Sequence, residues 1–126
     1  MIEYNANPMN KRVGDCTVRA ISKVLEQSWE ETYLGICMKG FEMCDIPNAN
    51  AVWGAYLRSK GFKRDIVPND CPDCYTVRDF CEEHPEGRFV LALSGHVVAC
   101  CDGDFFDTFD SGDETVIYFW YKEEDI

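Results

Sequence analysis

The stretch Arg88–Asp110, RFVLALSGHVVACCDGDFFDTFD, decides how this chain folds. Three runs, Arg88 to Leu93, His96 to Cys101 and Asp104 to Phe109, are separated by Ser94-Gly95 and Asp102-Gly103. Asp-Gly between two apolar runs is a strong hairpin signal, because the tight turn that matches strand twist needs left-handed backbone at both central residues. A fourth run, Thr115 to Tyr121, follows Ser111-Gly112-Asp113. The second half of the chain therefore reads as an antiparallel sheet.

Working back toward the N-terminus, the pattern changes to helical. Asp15 can cap a helix that starts at Cys16, with Val18, Ile21, Val24 and Leu25 at helical spacing. Ser28-Trp29-Glu30-Glu31 has capping-box form, so a second helix is predicted from Trp29 to about Gly40, with Trp29, Tyr33, Ile36 and Cys37 as its apolar set. A third follows Pro47-Asn48, carries Ala51, Val52, Ala55, Tyr56 and Leu57, and stops at Gly61. Phe62 to Val67 is a short strand candidate before a loop, and Thr76 caps a fourth helix closed by His84-Pro85. Helices first and a sheet afterwards make an α+β class, expected here as N-terminal helices packed on a C-terminal antiparallel sheet in a single domain over residues 1–126.

Composition sets the outer limits. The 126 residues are 46% hydrophobic and 13% aromatic, enough for a core without staples. No apolar stretch approaches the roughly 20 residues a membrane span needs, and Met1 opens a polar segment, so a cytoplasmic location and no membrane partner are expected. The eight cysteines read mostly as reduced thiols, several of them inside apolar runs. Cys100 and Cys101, adjacent on a strand, face opposite sides and read as packing residues. The net charge of −11 argues against a nucleic-acid partner, since phosphate contacts need a basic patch. Nothing in the sequence specifies an oligomeric state.

Three places can carry chemistry. Cys16, in Gly14-Asp15-Cys16-Thr17, stands on the first turn of a helix, where the positive end of the macrodipole favours thiolate. Gly14 lets the chain turn into that helix, and the Cys16 N–H is one of the helix-start donors that could face an oxyanion. His96 opens an otherwise apolar strand, and a buried histidine needs partners for both ring nitrogens. Asp107 lies one hairpin strand later, in Phe105-Phe106-Asp107-Thr108-Phe109-Asp110, where it can come back beside His96 and hold the imidazole in the required tautomer. Asp110 is the competitor for that role, but it stands at the Ser111-Gly112 turn, where an acid more often caps backbone donors. Taken singly, each has a plain structural reading: a capping turn with a buried thiol, a solvated strand-end histidine, an acidic loop. Together they give a nucleophile, a base and an orienting acid in a meaningful order.

With these residues in place the chain resembles papain-like cysteine peptidases, closest to the compact C39-like domains that process bacteriocin leader peptides. It is also similar to small phage and bacterial proteins of that type. The stretch Asn10-Lys11-Arg12-Val13-Gly14-Asp15-Cys16 has the family's spacing between an amide residue, an acid and the nucleophile, and the Gly-His-Val-Val strand and the acid strand after it also match. Asp107-Thr108-Phe109 looks like the Asn-Ser-Trp segment of papain-like enzymes. The resemblance implies Cys16 as nucleophile, His96 as base, Asp107 as orienting acid, Phe109 as its shield and Asn10 as oxyanion donor, with Asn7 as a second candidate. Asn10 stands where the family has Gln, one methylene longer. A cysteine hydrolase cutting a peptide or isopeptide-like amide bond, without a cofactor and with a peptide or protein substrate, is the expected function. The alternative is a catalytically idle acidic binding or inhibitor protein on the same fold.

A metal reading competes for other residues. Cys71, Cys74, Cys81 and His84 could bind zinc as a Cys₃His set, since both pairs have a two-residue gap. A single Cys-x-x-Cys with a short following span is a weak signal, and a loop followed by a helix with one core cysteine is the preferred reading.

Overall fold

Asp102 and Gly103 both take left-handed backbone, with φ of 50° and 83°, so the predicted Asp-Gly hairpin turn forms. The computed structural model describes residues 1–67 and 75–122. Its elements are β1 (Ile2–Glu3), α1 (Cys16–Leu25), α2 (Trp29–Met43), α3 (Asn50–Ser59), β2 (Lys63–Ile66), α4 (Val77–Glu83), β3 (Arg88–Leu93), β4 (His96–Cys101), β5 (Asp104–Asp107) and β6 (Tyr118–Tyr121). The class is α+β. The strands form one sheet in the order β1-β5-β4-β3-β6-β2.

Two features correct the expected architecture. The sheet is mixed rather than antiparallel, because β1 lies parallel to β5, with Ile2 opposite Phe106 and Glu3 opposite Asp107. A two-residue strand leaves no period-2 pattern to read, and only the finished β5 edge gives it a partner. Helices also cover both faces. On one face Ile21 and Val24 of α1 and Trp53 and Leu57 of α3 pack with Val90, Ala99 and Trp120. On the other, Val77 and Phe80 of α4 pack with Phe89, Leu91, Val98 and Phe105. Alternate residues of β3 and β4 therefore enter different cores, which is why those strands read as continuous apolar runs. Cys100 joins the α4 core and Cys101 the opposite one, as their adjacency predicts. Cys100 Sγ lies 2.9 Å from Cys81 Sγ of α4. The six described cysteines are free thiols.

Two expected strands are shorter than their apolar runs. β5 ends at Asp107 rather than Phe109, because the Thr108 N–H is taken by the Asp107 carboxylate at 2.8 Å instead of by a ladder. β6 starts at Tyr118 rather than Thr115, because Thr115 bridges Thr76 and the Val116 N–H bonds the Tyr75 carbonyl at the lead-in to α4.

Helix α2 runs on to Met43, past the expected stop at Gly40, and ends at a left-handed Cys44. Of its predicted apolar set only Ile36 enters the core; Tyr33 is exposed. Gly35 lets α3 approach, since a Cβ there would lie 2.5 Å from the Tyr56 ring. At the start of α2, Ser28 Oγ accepts from the Glu31 N–H at 3.0 Å. Ser28→Ala removes that acceptor and is expected to lower stability by about 1 kcal/mol, seen as a lower urea midpoint at unchanged slope. Among the described residues no helix is long and apolar enough to cross a membrane.

Candidate active site

Cys16 is the first residue of α1 and is half-buried. Asp15 occupies the N-cap position, but its side chain makes no capping bond. Its Oδ1 instead accepts from Arg19 Nη1 and its Oδ2 from Trp29 Nε1, each at 2.9 Å. A buried guanidinium one helical turn away outcompetes the backbone donors, since a charge-assisted bond is the stronger one. Gly14 has no positive φ, and a Cβ there would meet nothing within 4 Å. Its contribution is open space beside Cys16 rather than the special turn backbone expected of it.

The strand that follows Gly95, itself at φ +71°, begins with His96. The β4–β5 register pairs Ala99 with Phe106 and Cys101 with Asp104, which carries Asp107 back toward the start of β4. His96 Nε2 lies 2.7 Å from Asp107 Oδ2. The same imidazole lowers the pKa of the Cys16 thiol, and with Nε2 engaged by Asp107 the ring nitrogen left to face the thiol is Nδ1. Phe109 lies against the ring, with centroids 4.9 Å apart.

Asp107 is fully buried, and four donors share its carboxylate. Oδ1 accepts from Arg19 Nη2 at 2.9 Å and from the Thr108 N–H at 2.8 Å. Oδ2 accepts from Ser111 Oγ at 2.7 Å in addition to facing His96. Its backbone is held too, since the Tyr4 N–H donates to the Asp107 carbonyl at 2.9 Å.

These contacts set the charges. Burial pushes the Asp107 carboxyl up, but the bonds from His96, Ser111 and Thr108 outweigh it and hold the group below the ordinary carboxylate value. Burial pushes His96 down, yet the Asp107 and Cys16 contacts raise it to about 9, so the ring is an imidazolium at neutral pH. Burial likewise pushes the Cys16 thiol up, but the hydrogen bond to His96, the one from the Val97 backbone, the imidazolium charge and a bond with Thr17 bring it below its ordinary value. The helix start favours the same anion. The other described strand cysteines move the opposite way: the Cys81 contact and burial raise Cys100 far above a normal thiol, and burial takes Cys101 to about 12. The contacts thus shift the pair toward thiolate and imidazolium, the form that favours thiol attack on a carbonyl.

Arg19 was not singled out in the sequence. Only 5% exposed, it bridges Asp15, next to Cys16, and Asp107, behind His96. An Asp and an Arg four residues apart at a helix start are commonplace, so only the long-range bond to Asp107 marks the residue.

The remaining candidates fall elsewhere. Asp110 pairs with Arg78 at 3.3 Å and accepts from the Gly112 N–H at 3.0 Å, the turn role expected of it. Asn10 is exposed, in left-handed backbone, and its Oδ1 accepts from Asn5 Nδ2 at 3.4 Å. Asn7, the second candidate, is partly buried; its Oδ1 takes the N–H groups of Met9 and Lys11, so its amide nitrogen is the end left to donate. Asn7 lines a groove of about 570 Å³ whose walls include Gly14, Asp15 and Thr17, the residues flanking Cys16. Asn10 is not among the residues lining that groove. The expectation that Asn10 faces the site is thus not matched by any contact it makes, because the loop's asparagines bond one another. Of the zinc set, Cys71 and Cys74 lie outside the described residues. Cys81 faces Cys100, and the His84 ring stacks on Phe80 with its Nδ1 2.7 Å from the Phe80 carbonyl, so this pair does not converge.

No protein-family model, curated protein or solved structure matches this chain.

Proposed function

We propose that the chain is a papain-like cysteine hydrolase that cleaves a peptide or isopeptide-like amide bond. The observation that carries this reading is the His96 imidazole held 2.7 Å from the fully buried Asp107 carboxylate while lowering the pKa of the Cys16 thiol. An order of helix-start nucleophile, strand-start base and acid on the next strand supports the papain-like assignment. In the first half-reaction the Cys16 thiolate adds to the amide carbonyl, and the helix-start N–H of Cys16 stabilises the oxyanion. His96 then gives its proton to the departing amine as the C–N bond breaks, leaving a thioester on Cys16. In the second, neutral His96 takes a proton from water, the hydroxide adds to the thioester, and the acid leaves as the thiolate and imidazolium are restored. Asp107 keeps the ring oriented and stays ionised throughout. No cofactor enters these steps, and we place the protein in the cytoplasm.

An acidic binding protein on the same scaffold is the second reading, favoured by the net charge of −11. A peptide-like thiol electrophile separates the two. The hydrolase should take up one equivalent per chain at neutral pH, located on Cys16 by mass spectrometry and absent from Cys16→Ala. Label spread over the exposed Cys44 and the half-buried Cys37, with Cys16 lagging, would favour the binding protein.

A further inference from the structure

Around helix α2, successive side chains step by about 100°. Thr32, Ile36 and Gly40 face the core. The next sector holds Tyr33 and Cys37, both of which line the groove beside Cys16. Beyond them come Leu34, Met38 and Phe41, at 67%, 59% and 82% exposure, and then Glu31 and Glu42. Apolar side chains thus stand both in the groove beside Cys16, where the rings of Trp29 and Tyr33 stack at 4.8 Å, and on the adjoining outer face of α2. Helix faces of a lone soluble domain are normally polar, and a contiguous exposed apolar strip marks an interaction surface. Its borders are acidic. Glu30 and Glu31 stand exposed at one end and Asp45 just past the other, while Glu42 is balanced by Lys39 at 3.4 Å.

We infer that this strip is the substrate-docking surface: it takes a polypeptide segment with apolar side chains on one side and basic residues at its margins, and so delivers the bond to be cut to Cys16. The inference rests on the hydrolase reading and adds its substrate class. The groove is lined by Gly14, Asp15 and Thr17, so a segment lying in it passes the immediate chain neighbours of Cys16. The acidic margin in a chain of net charge −11 selects cationic over anionic partners. A second copy of this chain would bring like charge to like.

The probe is a fluorescent peptide of about 18 residues, with Leu at helical i, i+3, i+4 spacing and Lys elsewhere. A Leu/Glu peptide of the same pattern and a lysine homopolymer of the same length are the controls. In fluorescence anisotropy the Leu/Lys peptide should bind at least about tenfold more tightly than either control. The Met38→Ser/Phe41→Ser protein, which alters exposed positions only and keeps the charge, should lose about tenfold for it. Bound Leu/Lys peptide should also slow alkylation of Cys16 by a small electrophile. Equal binding of the lysine homopolymer, or indifference to the double substitution, would mean charge attraction alone and overturn the inference, as would no binding. A dimer in sedimentation that the double substitution dissolves would assign the strip to a second copy and overturn it too. Alkylation of Cys16 without peptide tests the hydrolase reading separately, so the two can fail independently.

Discussion

Replacing His96 by alanine is expected to slow alkylation of Cys16 roughly 10- to 100-fold at pH 6 to 7 and to cut any amide hydrolysis by roughly 10²- to 10⁴-fold. The imidazolium is the main influence offsetting burial of the thiol, through both a hydrogen bond and its charge. Without it burial weighs more heavily, the thiol shifts back toward its protonated form, and the leaving amine has no acid. The pH profile makes the effect specific. His96 is raised from an ordinary 6.5 to about 9. Activity should therefore hold across neutral pH and fall on an alkaline limb near 9, where the ring loses the proton it must donate. The same group affects stability: its contribution is complete below about 6.5 and is lost as pH rises through about 9. Asp107→Asn should move the alkaline limb to lower pH, because it removes the carboxylate that raises the ring. A limb that stays near 9 in that variant would show that Asp107 does not set the His96 proton. Rates of iodoacetamide labelling across pH, read by mass spectrometry for each cysteine, check all of this without knowledge of the substrate.

Arg19→Met is expected to be the most destabilising single change, at about 3–5 kcal/mol. It removes the one cation between two buried carboxylates, Asp15 at 7% exposure and Asp107 at 0%. An uncompensated buried charge costs more than the ion pair was worth, and a loss of this size is a large share of a domain's stability. The pH dependence separates this cause from lost packing. Asp107 is held below its ordinary value in the folded protein, so its contribution is present above that value and is lost as pH falls through the folded one. The gap between wild type and Arg19→Met should accordingly narrow on acidification, as the Asp107 carboxylate takes up its proton. Arg19→Lys keeps the charge but not the fork that reaches both acids, and should fall between the two. Urea titrations at neutral and acidic pH measure the gap. A gap that stays constant would mean that packing of the arginine stem, not charge, is what the substitution removes.

These two residues mark the line between what is legible in one dimension and what is not. The helix starting at Cys16, the strands opening at Arg88 and His96, and the Asp102-Gly103 hairpin follow from local chemistry: periodicity, turn backbone and the burial of both faces of β3 and β4. The choice of Asp107 over Asp110 as the acid beside His96 also follows locally, since alternation along a short strand and the turn at Ser111-Gly112 send the two carboxylates to different partners. Phe109 reaches the ring even though the strand ends before it.

Other features depend on where distant segments come to rest. The parallel strand Ile2–Glu3 exists only because β5 offers it an edge. Asp15 abandons the capping role its position suggests because folding places a guanidinium and an indole N–H within 2.9 Å of it. Arg19 acquires its importance from a carboxylate 88 residues away. Asn10 has the right spacing from Cys16 but is held among its neighbouring asparagines, while Asn7 lines the groove. The sequence by itself determined the elements, the hairpin and the order of thiol, imidazole and acid, because these depend on a residue and its near neighbours. Only the tertiary structure decided the mixed sheet, the Asp15–Arg19–Asp107 bridge and the exposed face of α2, because a buried charge and an unpaired edge find their partners by proximity in space, which local pattern does not encode.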